Sequence, residues 1–120
     1  MNNKRKTKTN LELINLIQDL KIAGEKKRMW KDVAKRLEKP RSHWSAVNVC
    51  KIAKYAKDNE TILVPGKVLG LGSIEKSMKV AAFSFSDNAY EKLLKSGSEA
   101  MTIEELLKTN PKAGGIRILG

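Results

Sequence analysis

Apolar residues recur along this chain at two periods, and the change of period divides it near residue 60. Before that point the spacing is helical. Leu13, Leu16, Ile17 and Leu20 form one stripe, and Trp30, Val33, Ala34 and Leu37 form a second. Thr9 and Glu12 have the spacing of a capping box for the first helix, and Gly24 stands where a C-terminal cap belongs. The second helix is predicted over about residues 27–38, stopped by Pro40. A turn through Arg41, Ser42, His43 and Trp44 leads to a short extended piece at 47–49. A third helix then runs to about residue 57, with Val49, Ile52, Ala53 and Ala56 inward and Lys51 and Lys54 outward.

From Thr61 the runs are short and rich in β-branched residues. Residues 61–64 read as a strand, and Pro65-Gly66 reads as a turn. Residues 66–73 form a glycine-punctuated segment around a short strand, and 79–85 form another strand. Ser86 caps a helix at 87–95 that ends at Ser96-Gly97. Thr102 and Glu105 make a capping box for a short helix to about residue 108. Asn110-Pro111 and Gly114-Gly115 then break the chain before a last strand at 116–119. The expected fold is α/β: a small layered sheet with partly parallel strands and flanking helices. A basic helical N-terminal half and a flexible arm precede it. Residues 1–8, which hold Lys4, Arg5, Lys6 and Lys8, form the arm, and residues 9–120 form one domain.

Size and composition narrow the class. At 120 residues and 41% apolar, the chain can bury one modest core. No run approaches the ~20 apolar residues that a membrane span needs, and the basic, polar start lacks the apolar core of a secretory signal. A lone cysteine, Cys50, cannot staple the fold and suits a reducing compartment. A basic, soluble, cytosolic domain is expected.

Charge changes the picture most. Residues 1–57 carry sixteen Lys/Arg against five Asp/Glu, a net +11, whereas residues 58–120 carry eight of each. Like charges on one half repel and raise the cost of folding, so an external polyanion must neutralise them. Nucleic acid is the commonest candidate. On the second helix Arg28, Lys31, Lys35 and Lys39 fall within about 80° of one another, opposite the apolar stripe. Asp32 dilutes that stripe only slightly, and acids are too few to pair with it at i,i+4. Trp44 has two open readings, as a platform for a base or ribose or as an ordinary core residue.

Catalytic chemistry is poorly supplied. His43, the only histidine, has no obvious carboxylate to orient it. Cys50 begins a helix but lacks a base, so a small buried core position is expected for it. One Cys and one His cannot build a four-ligand zinc site. The segment Gly66 to Gly72 matches neither G-x-G-x-x-G nor G-x-x-x-x-G-K-[S/T], and Lys67 comes too early for a nucleotide loop. A structural turn, or one that lets Lys67 and the backbone approach an RNA phosphate, fits better.

The stretch KRLEKPRSHWSAVNVCKI at residues 35–52 resembles the archaeal and eukaryotic large-subunit ribosomal protein family L-eighteen-e, a relative of bacterial L-fifteen. The resemblance continues through KTN at 8–10, VPGKVLG at 64–70, AAFSFS at 81–86 and GIRI at 115–118, so it covers most of the chain in order. It implies a structural constituent of the large ribosomal subunit, bound to large-subunit rRNA and to neighbouring ribosomal proteins in the cytoplasm. It also implies an α/β layered fold, no catalysis, no cofactor and no membrane or small-molecule partner. The short length is similar to the archaeal branch. Carried over by position, Lys39, Arg41, His43, Asn48, Lys51 and Lys67 look like RNA-facing residues. The arm lysines with Arg5, the helix stripe, Trp44 and Lys54 join them on grounds of charge and stacking. Cys50 and Trp44 depart from the family pattern, where Ser and a smaller or tyrosine-like residue are expected. A free-standing RNA-binding regulator or a subunit assembly factor is the alternative.

Overall fold

Each helix forms where an apolar stripe meets a stop. A computed structural model describes residues 10–57, 60–110 and 112–120, so the arm and the Thr9 cap lie outside the described residues. Helix α1 (Asn10–Gly24) buries Leu16 and Leu20. Gly24 closes it for a reason other than a left-handed cap: a Cβ there would sit 2.7 Å from Lys31 Cβ on the next helix. Helix α2 (Arg28–Glu38) buries Trp30, Val33, Ala34 and Leu37, the four residues of its predicted stripe. Pro40 then leads into a single 3-10 turn at Arg41–His43.

Strand β1 (Ser45–Asn48) passes directly into helix α3 (Val49–Tyr55), which buries Val49 and Ile52. Cys50 corrects an expectation. It is exposed, because a residue 100° round the helix from Val49 cannot share the inward face that Val49 and Ile52 occupy.

Strand β2 (Thr61–Leu69) is a second correction, since it runs straight through Pro65-Gly66 where a turn was expected. Pro65 is tolerated because nothing asks for its missing N–H. On one edge β5 (Ile116–Ile118) pairs with Thr61–Leu63 and β1 pairs with Gly66–Leu69, so residue 65 falls in the seam between them. On the other edge β3 (Lys79–Phe85) pairs in two segments, with a bulge between Val64 and Lys67. Gly66 is required where β1 crosses, for a Cβ would lie 2.1 Å from the Ser45 carbonyl oxygen.

Helix α4 (Asp87–Lys95) starts on its predicted cap, the Ala89 N–H donating to Ser86 Oγ at 3.2 Å. Strand β4 (Glu99–Thr102) was not anticipated and pairs with β3. Helix α5 (Ile103–Thr109) carries the full capping box: the Glu105 N–H donates to Thr102 Oγ1 and the Thr102 N–H to Glu105 Oε1. The strand order is β1-β2-β3-β4 with β5 on β2, and every pairing is parallel, more uniformly than expected.

A parallel sheet buries both faces, and two apolar layers follow. Ile62, Val64, Val80 and Ala82 face α3 and α4, with Ile52, Ala89 and Leu93 packed on them. Leu63 and Ala81 face α1, α2 and α5, beneath Leu16, Trp30, Val33 and Ile103. The two basic helices, α2 and α3, therefore lie on opposite faces of the sheet.

Candidate nucleic-acid interface

The basic stripe of α2 is free because its acids are engaged elsewhere. Glu38 binds Lys21 of α1 at 2.7 Å, and Asp32 reaches back to Arg36 at 3.5 Å. Lys31, Lys35 and Lys39 are exposed and, among the described residues, have no carboxylate within ion-pair distance. Arg36 is also held by the Gly120 oxygen, 2.9 Å from its Nη1.

Trp44 organises the surface beyond the helix. Its indole N–H donates to the Lys39 carbonyl at 2.9 Å, and its ring meets Phe83 edge-on, centroids 4.6 Å apart. The Arg41 guanidinium lies 5.3 Å from both ring centroids. The half-buried indole is thus a fixed ridge that also packs against the apolar layer holding Trp30 and Leu63.

Two hollows flank that ridge. One, of about 380 Å³, is lined by Lys35, Arg36, Lys39, His43 and Pro65, and also by Asp32, whose carboxylate pairs with Arg36. The other, of about 360 Å³, is walled by Arg41, Lys67, Phe83 and Ser84. Lys67 reaches it because parallel pairing aligns Ala46, Lys67 and Ser84 in one row across three strands. Six of the residues singled out in the sequence, Lys35, Lys39, Arg41, His43, Trp44 and Lys67, converge here.

Others do not join them. Arg28 and Lys31 continue the stripe along α2, and Lys51 and Lys54 belong to α3 on the far face. Asn48 serves the fold: its Oδ1 accepts from the Leu71 N–H at 3.1 Å. Lys4, Arg5, Lys6 and Lys8 lie outside the described residues. Sequence reasoning missed Arg36, Phe83 and Ser84. The last two gain their place only from strand register, which no local pattern encodes.

The carbonyls of the glycine segment are engaged by the fold. Lys92 Nζ donates to the Gly70 carbonyl at 2.6 Å and also to that of Gly72, and the Cys50 N–H donates to the Leu71 carbonyl at 3.2 Å. The Leu71 N–H, a donor of the kind an anion cradle uses, is taken by Asn48 Oδ1. Among the described residues no three His, Cys, Asp or Glu side chains gather to hold a metal ion, and no helix is long and apolar enough to cross a membrane.

Residues 2–120 match the family described as ribosomal protein 60S L18 and 50S L18e. The chain belongs to that family. Large ribosomal subunit protein eL18 of Archaeoglobus fulgidus is 53% identical over 114 residues, 93% of this chain and 97% of that protein. The Methanosphaerula palustris protein of the same name is 51% identical over 118 residues, 96% of this chain and 97% of its own length. In Methanothermobacter thermautotrophicus the figures are 44% over 115 residues, 94% and 95%. The family resemblance carried by residues 35–52 therefore holds along the whole chain, and all three relatives are archaeal.

Proposed function

We propose that this chain grips large-subunit rRNA through the cations around Trp44, as a structural, non-enzymatic constituent of the large subunit of the cytoplasmic ribosome. Family membership supports the ribosomal role, since the relatives are large-subunit proteins by name. The observation that carries the RNA surface is the diversion of Asp32 and Glu38 onto Arg36 and Lys21, which leaves a row of lysines beside two open hollows.

Phosphates fit such hollows. Lys35 and Lys39 supply point charges, and Arg41 supplies a planar donor fork stacked on aromatic rings. Contacts of this kind read the course of the RNA backbone and its 2′-hydroxyls more than base identity. Residues 9–120 act as one binding unit, with residues 1–8 as a basic arm and neighbouring subunit proteins as further partners.

The test has two parts. Salt-washed large subunits from the native source should contain about one copy of the chain; absence would turn the reading toward a free regulator or an assembly factor. For the purified protein, Lys35→Gln/Lys39→Gln/Lys67→Gln should flatten the log–log salt dependence of rRNA binding by about 2.1–2.7, at about 0.7–0.9 per lost phosphate contact. An unchanged slope would move the RNA surface elsewhere.

A further inference from the structure

At the opposite end of β2 the fold assembles a second basic hollow from residues that are far apart in sequence. It measures about 600 Å³ and is lined by Lys57, Glu60, Lys76, Ser77 and Lys79. Lys57 follows α3, and Lys79 opens β3. Its rim is fixed: Ser77 Oγ donates to the Ser96 carbonyl at 2.9 Å, the Met78 N–H to Ser98 Oγ at 3.1 Å, and the Glu99 N–H to the Met78 carbonyl at 2.8 Å.

Among the described residues, the one acid lining this hollow is already held by other donors. Glu60 Oε1 accepts from the Lys57 N–H at 2.8 Å and from Arg117 Nε at 3.2 Å. Lys57 and Lys79 are exposed and have no carboxylate within ion-pair distance among the described residues. The second half of the chain is neutral overall, yet here it contributes two cations, Lys76 and Lys79, to one concave surface.

Resting on the rRNA reading above, we infer that this hollow is a second site for RNA backbone phosphate. It is independent of the surface around Trp44. Six residues of β2 separate Thr61 at this hollow from Lys67 at the other, roughly 20 Å at ~3.3 Å per residue. That span exceeds the reach of one lysine side chain several-fold, so the two sites take different phosphates and hold two stretches of rRNA across one rigid strand. An open, broad hollow with dispersed ammonium groups suits a polymer backbone better than a small enclosed anion.

The decisive experiment measures binding of the full chain to purified large-subunit rRNA as a function of KCl concentration. Lys57→Gln/Lys79→Gln should flatten the log–log slope by about 1.4–1.8, and its effect should add to that of Lys35→Gln/Lys39→Gln/Lys67→Gln. Lys57→Arg/Lys79→Arg should keep the wild-type slope, which separates charge loss from a folding defect. An unchanged slope in the Gln variant overturns the site, as does a combined variant no flatter than either parent. Saturable binding of inorganic phosphate, lost in the Gln variant while the rRNA slope stays put, assigns the hollow to free phosphate and equally overturns it. If only the Lys35/Lys39/Lys67 variant leaves the slope unchanged, the surface around Trp44 fails while this site stands.

Discussion

The Trp44 indole sits edge-on to the Phe83 ring at an interplanar angle of 67°, joining the turn before β1 to the end of β3. Arg41 lies equidistant from both rings, so the guanidinium is positioned by a contact that spans the sheet. Phe83→Leu keeps most of the apolar bulk but removes the aromatic edge and one cation–π partner. It should cost about 1–2 kcal/mol in urea denaturation at pH 7. An unchanged midpoint would show that the ring contact contributes nothing.

Gly66 tests the close approach of β1 to β2. A methyl group there would collide with the backbone of Ser45, which no rotamer change can relieve. Gly66→Ala should therefore destabilise by about 3 kcal/mol, at the upper end of overpacking costs. Gly114 is the control: a Cβ there meets nothing within 4 Å, and Gly114→Ala should shift stability by less than about 1 kcal/mol. Equal effects at the two positions would refute this account of Gly66.

The same crossing explains what the sequence could and could not reveal. Local rules located α2, whose stripe and proline stop are self-contained. They also located the caps at Ser86 and Thr102, whose partners lie three residues away. Pro65-Gly66 misled because both residues are excused by neighbours distant in sequence, the β1–β5 seam and Ser45. Strand β4 was missed because its residues, an exposed Glu99 followed by three half-buried positions, show no alternation, and pairing with β3 alone defines them. At the candidate interface, charge patterning along α2 picked out Lys35 and Lys39, and the family resemblance picked out Arg41 and Lys67. The diversion of Asp32 and Glu38 became visible only with side chains in place. Lys76 and Lys79 could not be read from a half-chain with zero net charge, and only the fold brings Lys57 beside them.

Glu60 carries a pH dependence. The Lys57 N–H holds its carboxyl below the usual range; desolvation opposes this, and the nearby Arg117 guanidinium adds to the lowering. A carboxyl depressed in the folded state stabilises fully above its unfolded value of about 4.3, and loses that contribution as pH falls through the folded value. Glu60→Gln should thus lower the urea midpoint at pH 7, and by less at pH 3. A loss of the same size at both pH values would mean that hydrogen-bond geometry, not charge, is what Glu60 supplies.

Placement of α2 and α3 on opposite faces of the sheet bears on how the basic half meets RNA. Arg28, Lys31 and Lys35 point outward from the layer over Trp30, whereas Lys51 and Lys54 leave from the layer over Ile52, where Lys54 Nζ stands 5.3 Å from the Tyr55 ring centroid. The sheet lies between the two groups, so their phosphate contacts should be energetically separate. Arg28→Gln/Lys31→Gln/Lys35→Gln should flatten the salt slope of rRNA binding by about 2.1–2.7, and Lys51→Gln/Lys54→Gln by about 1.4–1.8. The five-fold variant should show the sum. A combined slope well short of that sum would mean that one RNA stretch wraps the β1 edge and shares its phosphates between the two helices.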